Sequence, residues 1–452
     1  MRRPEPFVLV IPKPYYDELE RLLIADTPQW GYSVEYFWYV AAYLIREDIK
    51  HRNRGFHSLN TKKMTKSIVW NIGSYIGYLR NGELLECDDH YIVGEKSKAY
   101  RINPRFCGDE VVEVKVRPGS HLHTRMVVQE RLKRKHFDRM PDYLVQMKDL
   151  LMTIELDYEG AKAWILGHGG KNKAVYLTAL GHIQDKRFRY FSRNKTNNRL
   201  DTNLTNLVKG VRPFLIGDWV SIDLANSQPL FLSLGLHKIL TSYLPLHTNH
   251  YYTPLCDRHN KTGGPFTLGK QQLAAFYKIP QNLQDRLNGE VIAFLDTCIN
   301  GRFYESFQEL AGGSRLTRVE VKDMLFAVMY SKNEEYRKFT RFIPYEREKK
   351  LFANVYPAIA EVLKILKMKD HKKLAIALQR QESDTFIDRI CPVLIDFGVV
   401  PLTIHDSILV PATEAETALN ACTDVFMDLY GIRPTFHVEP LNKERKMDND
   451  QE

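Results

Sequence analysis

Two short strand-like runs, each carrying one aspartate at its end, constrain this chain more than any other feature. Val220-Ser-Ile-Asp223 alternates apolar and polar residues and stops on an acid. Small and polar residues lead to Pro229, and the apolar run Leu230-Phe-Leu-Ser-Leu234 begins there. That order reads as a strand, a turn and the start of a helix. Leu402-Thr-Ile-His-Asp-Ser-Ile-Leu-Val410 reads as a tight hairpin, with two β-rich runs flanking His405-Asp406. A strand-end aspartate alone is commonly a cap. Two on neighbouring strands make a set able to hold two Mg²⁺ ions for in-line phosphoryl transfer.

Between the two runs lies Arg318-x3-Lys322-x3-Phe326-x3-Tyr330. Residues four apart drift by only ~40° per step around a helix, so all four share one broad face. Arg318 and Lys322 stand one turn apart, where both can reach one triphosphate. Lys322 can stabilise or protonate leaving pyrophosphate. Phe326 would lie under a base and Tyr330 beside it. Taken alone, the same pattern also describes a surface helix with solvated charges and core aromatics.

At 452 residues the chain can hold two to four domains, and 44% hydrophobic with 26% charged residues is a globular composition. Net charge is +9, which suits a polyanion partner. From Lys186 to Arg212, eight Lys or Arg face one acid, Asp201. Six scattered cysteines without a CxxC predict a reduced, cytoplasmic compartment. No apolar run reaches the ~18–20 residues that cross a membrane.

Residues 1–30 predict a strand and a short helix, and 33–50 a helix. Thr65 is placed to cap a helix running to about Leu79, with a turn at Asn81-Gly82. A hairpin with a polar tip at Glu95-Lys-Ser-Lys98 follows. Helix, turn and charged hairpin in that order resemble a winged helix, a duplex-binding module; the plain alternative is an α+β packing unit with a solvated loop. Residues 120–190 predict helices, as do 231–317, 333–373 and 385–397. His247, His250, Cys256 and His259 have ligand types compatible with zinc, although a polar loop with incidental histidines fits them better. Glu382 and Asp384 read as ordinary helix acids, and Glu439 as a third carboxylate near the sheet.

The order Asp223, then Arg318/Lys322/Phe326/Tyr330, then His405-Asp406 resembles motifs A, B and C of family A DNA polymerases, the bacterial polymerase I group. It is also similar to the related single-subunit phage-type RNA polymerases. The resemblance covers about residues 190–440. It implies that Asp223 and Asp406 bind two Mg²⁺ (or Mn²⁺) ions and that Asp223, Asp406 and Lys322 are catalytic. It implies that Arg318, Lys322, Phe326, Tyr330 and Gln228 bind the nucleotide. Arg199, Asn206, Arg212, Gln381 and His405 would contact primer and template. The pattern departs from the family at Gln228, where DNA polymerases have a Glu that gates the sugar, at Ser407, where they usually have Glu, and at Ser331, where Gly is usual.

The expected architecture is α+β, a right-hand polymerase with an N-terminal winged-helix-like domain. The expected divisions are a basic N-terminal domain at 1–118 and thumb-like helices at 119–190. Palm with motif A spans 191–232, helical fingers 233–373, palm with motif C 374–445, and a tail 446–452. The expected function is template-directed DNA synthesis by a monomer without proofreading, on a phage, plasmid or mobile-element replicon. DNA primer-template and nucleoside triphosphates would be its partners. The alternatives are a phage-type RNA polymerase or primase-like enzyme, and an inactive nucleic-acid-binding replication protein.

Overall fold

The computed structural model describes residues 6–51, 55–90, 97–108, 110–134, 140–243, 268–312, 316–337 and 340–441. The histidine and cysteine set at 247–259, most of the expected hairpin tip at 91–98 and the tail from 442 lie outside the described residues. The chain forms two compact α+β units. One takes the chain up to residue 191 together with 201–217; the other takes 192–200 and 218–441.

The first unit opens with β1 (Phe7–Pro12), α1 (Lys13–Ala25) and α2 (Val34–His51). Then come β2 (His57–Ser58), α3 (Thr61–Ser67), α4 (Ile72–Asn81), β3 (Leu85–Cys87) and β4 (Ala99–Ile102). Next, β5 (Val111–Val116) pairs antiparallel with β1. The helical spacing of α2 buries Phe37, Val40, Ala41, Leu44 and Ile45 in a core shared with Leu19 and Tyr75. Strands β2, β4 and β3 form an antiparallel sheet in that order.

The single helix expected from Thr65 to Leu79 is two helices. Asn60 caps the first by accepting from the Lys63 N–H. The chain then breaks so that Ile68 and Val69 can turn into the core, and α4 restarts after Asn71. Burial of two β-branched residues outweighs helix continuity here.

Four more helices follow: α5 (His121–Arg134), α6 (Asp142–Thr153), α7 (Tyr158–His168) and α8 (Lys173–Gln184). A ribbon of β6 (Phe191–Arg193) and β7 (Leu200–Thr202) leads to α9 (Asn203–Asn206).

The second unit runs β8 (Trp219–Leu224), α10 (Ser227–Tyr243), α11 (Lys270–Phe276), α12 (Gln281–Ile299), α13 (Phe303–Leu310) and α14 (Arg318–Tyr330). A ribbon of β9 (Glu335–Arg337) and β10 (Thr340–Phe342) interrupts the helix expected over 333–373. Pro344 disfavours a helical conformation at Ile343, and α15 (Glu346–Val355) starts only after Tyr345, which takes a left-handed φ of 55°. Next come α16 (Pro357–Leu366), α17 (Lys372–Ser383), a π-helical turn over Asp384–Ile390 and α18 (Cys391–Asp396). The extra residue in that turn buries Phe386 against Phe426 and brings the Thr385 hydroxyl to Tyr430 at 2.7 Å. Finally β11 (Leu402–Ile404), β12 (Ser407–Pro411), α19 (Ala415–Tyr430) and β13 (Phe436–Pro440) complete a four-stranded antiparallel sheet, ordered β11-β12-β8-β13. Helix α19 packs on β8 and β12, and its Phe426 and Tyr430 cluster with Phe231 of α10.

Candidate active site

The centre of the site is set by strand register. Ser407 lies opposite Asp223 in the β12–β8 ladder, and Ile404 opposite Ser407 in the β11–β12 ladder. Only His405 and Asp406 are left for the turn. His405 takes the left-handed φ of 58°, a conformation uncommon outside Gly and one that tight hairpins require. The Leu224 N–H donates to the Asp406 carbonyl at 3.3 Å, tying the turn to the end of β8. The two aspartates therefore sit side by side at one end of the sheet. On the other flank of β8, His437 pairs with Asp223 and Glu439 with Ser221, so Glu439 shares the Asp223 face.

The electrostatics follow from this geometry. Burial first, then the Asp406 charge, push the Asp223 carboxyl up to about 7, and Glu439 adds to the rise. A hydrogen bond from Ser407 and the charge of Lys322 act the other way. The site thus holds more negative charge than the chain itself neutralises. Two oxygen-donor side chains in that state suit a hard divalent cation that keeps water and phosphate in its remaining positions. Among the described residues no cluster of three or more His, Cys, Asp or Glu could hold a metal.

Helix α14 begins with a capping box in which Thr317 and Glu320 bond reciprocally. It buries Val321, Met324, Leu325, Val328 and Met329 and leaves Arg318 and Lys322 exposed. Arg318 pairs with Glu305 at 3.0 Å and lies over the Tyr304 ring at 4.9 Å. The Lys322 ammonium lies 5.8 Å from the Phe326 ring, which stacks on Tyr330 at 5.7 Å. One cationic and aromatic face results.

A buried carboxylate whose sequence context is that of an ordinary helix acid joins that face to the strand end. Glu382 is 1% exposed and forms an ion pair with Arg199 at 2.7 Å. Gln228 donates to Glu382 at 2.5 Å, and Ser227 at 3.3 Å. The Tyr330 hydroxyl donates to the other end of the Gln228 amide at 2.5 Å. Burial holds Tyr330 above its ordinary value, which keeps it a donor. Burial likewise pushes Glu382 up to about 7, against the pull of Arg199. The only hint in the sequence is that Glu382 follows Gln381; nothing local marks a helix acid as buried. Two further amides are orphaned. The Gln381 Oε1 and both polar atoms of the Asn226 side chain are buried with no partner among the described residues.

The arginines of the basic run 186–212 are largely spent on structure, while Lys186, Lys195 and Lys209 are exposed. Arg187 pairs with Asp185 at 2.6 Å, and buried Arg189 donates to the Ile183 and Leu151 carbonyls. Arg193 pairs with Asp388 at 2.6 Å. Of the expected primer and template residues, Arg199, Gln381 and His405 belong to the second unit with the aspartates. Asn206 and Arg212 belong to the first, where Asn206 donates to the Tyr190 hydroxyl and Arg212 lies in a 3₁₀ turn over Lys209–Phe214.

No family model and no curated protein matches this chain. Among solved structures it is similar to the POL domain of Pol1 from M. smegmatis, solved in complex with DNA primer-template and dNTP. The identity is 10%, the overlap covers 70% of this chain and 66% of that one, and the TM-score is 0.25. The chain thus spans just under two thirds of that solved chain's length, and an overlap this shallow says nothing of this chain's activity.

Proposed function

We propose that the second unit is the catalytic body of a template-directed nucleotidyltransferase that extends a primer 3′-hydroxyl, most simply a DNA polymerase of the family A kind. The observation that carries this reading is the Ser407–Asp223 register, which sets Asp406 beside Asp223 where the Lys322 charge is felt. Two Mg²⁺ ions held by Asp223 and Asp406 would activate the attacking hydroxyl and neutralise charge on the leaving pyrophosphate. Arg318 and Lys322 hold the triphosphate, and Lys322 stabilises the departing pyrophosphate. Phe326 stacks under the incoming base. Gln228, held between Tyr330 and Glu382, stands where the sugar would be tested. Arg199, Gln381 and His405 are the primer and template contacts of this unit; Asn206 and Arg212, in the other unit, are a separate pair of candidate nucleic-acid contacts.

In the first unit, the run of helix, strand, two helices and two strands with sheet order β2-β4-β3 supports a winged helix. Lys62, Lys63 and Lys66 are exposed on α3, and Trp70, 80% exposed, sits between α3 and α4. Basic side chains beside an open indole suit nucleic acid.

Extension of a labelled primer on DNA and RNA templates, with dNTPs and NTPs supplied separately, tests the reading. Wild type should extend in Mg²⁺ and prefer dNTPs, while Asp223→Ala/Asp406→Ala should not extend. Preference for NTPs would make the chain an RNA polymerase. Tight nucleic-acid binding without extension on any template would leave a binding protein.

A further inference from the structure

A second site-like feature of this unit lies at the far end of α14 from Arg318. A cavity of about 710 Å³ opens beside the last turns of that helix, bounded by α15, α16 and the segment that follows α16. Its floor is apolar, with Val328, Phe352 and Leu363, and its walls carry six lysines and two carboxylates, Glu334 and Glu346. Three of these lysines form ion pairs, Lys332 with Glu335, Lys350 with Glu346 and Lys364 with Glu361. We propose that this cavity binds a small phosphate-bearing ligand of the nucleotide type, separate from the triphosphate face of α14.

Three observations carry the proposal. The volume falls in the ~300–1,000 Å³ range of small-molecule sites, and an apolar floor under a charged wall suits a base with phosphates attached. The most buried of the lysines, Lys367, is 5% exposed and has no acid partner. Its ammonium donates instead to the Val328 and Ser331 carbonyls at 2.6 and 3.2 Å. Lys349 does the same, donating to the Lys332 carbonyl at 2.5 Å. Burial, then the charges of Lys349 and Lys364, hold the Lys367 ammonium down to about 7. A buried cation facing other cations is costly unless an anion completes the set. Lysine is a point-charge binder of phosphate, so a phosphate is the anion that fits. A nucleic-acid strand would ask for a groove with exposed stacking rings, whereas the ring in this floor, Phe352, is fully buried. The cavity would hold its ligand whether or not Asp223 and Asp406 catalyse phosphoryl transfer.

The test is a titration of the full chain carrying Arg318→Ala/Lys322→Ala, which removes the triphosphate face of α14, with fluorescent methylanthraniloyl-ATP in EDTA, which removes any divalent ion that would bridge Asp223 and Asp406 to phosphate. Saturable binding is expected, weakened at least about ten-fold by the surface change Lys364→Glu/Lys369→Glu, since ~1.4 kcal/mol of lost attraction is already tenfold. Lys367→Met, which keeps the buried stem, should weaken it similarly, and Lys364→Arg/Lys369→Arg should leave it unchanged. Inorganic triphosphate should compete. Absence of saturable binding overturns the proposal, as does binding that survives both the Glu and the Met changes. Saturable binding by wild type but none in this background would place the nucleotide on the other face of α14. Displacement by a single-stranded oligonucleotide at lower concentration than by nucleotide would make the ligand a strand instead.

Discussion

Gln228 donates to the buried carboxylate of Glu382 at 2.5 Å, joining the first turn of α10 to the last turn of α17. Tyr330 completes the link from α14. Gln228 is therefore held from both ends, by two partners distant in sequence.

Gln228→Ala should relax sugar choice. The ratio of NTP to dNTP incorporation efficiency is expected to rise at least about ten-fold, in line with the ~1–3 kcal/mol that one polar or steric contact contributes to discrimination. Single-nucleotide insertion kinetics would measure it. An unchanged ratio would remove Gln228 from the gate.

Glu382→Ala should destabilise the second unit rather than act on chemistry alone. It leaves Arg199 partly buried without its carboxylate, a loss of about 3–5 kcal/mol for a broken buried pair. Glu382→Gln, which keeps the amide-sized volume and one acceptor, should cost less. Denaturant unfolding of the two variants would show the order, and equal stabilities would contradict it.

Asp223 should make the ion-free chain less stable as pH rises. Its folded-state value of about 7 stands above the ordinary 3.8, so the folded chain holds this proton longer than the unfolded one. The favourable contribution is complete below ~4 and is lost as pH climbs to ~7. Glu382 titrates in the same direction. Melting temperature in EDTA should fall over that window. Asp223→Asn should flatten part of the fall, and Mg²⁺ should flatten it for wild type by stabilising the charged pair. A wild-type profile identical to that of Asp223→Asn would refute the strain between the two aspartates.

Lys322→Ala should lower primer extension by about 10²–10³, the scale for removing one preorganised charge from a developing anion. Its exposure means that stability should barely change. Arg318→Ala should raise KM for the triphosphate, with the exposed pair to Glu305 contributing under about 1 kcal/mol to the fold. Thr317→Ala should instead cost about 1 kcal/mol through the lost cap of α14. Parallel kinetics and thermal melts would separate the three.

Several parts of this site were legible because their cause is local. The β-rich runs on either side of His405-Asp406 leave a two-residue turn no other reading, and β11 and β12 form there. The four-residue spacing from Arg318 to Tyr330 makes a helical face by geometry alone. The α2 core positions followed from period as well. The break between α3 and α4 did not, because it depends on a core waiting for Ile68 and Val69. The ribbon after α14 and the π-helical turn after α17 also answer to neighbours distant in sequence.

The sequence by itself determined which residues end strands, which share a helix face and where the turns fall, since backbone sterics and side-chain period act over a few residues. Only the tertiary structure decided which charges are solvated and which are buried. Arg187, Arg189, Arg193 and Arg199 read as a basic surface and are instead paired or buried. Glu382 read as a solvated helix acid and is the hub of a buried network. Lys367, which no local pattern singles out, is buried beside a cavity. Desolvation depends on what packs around a group from everywhere in the chain, and no local pattern encodes it.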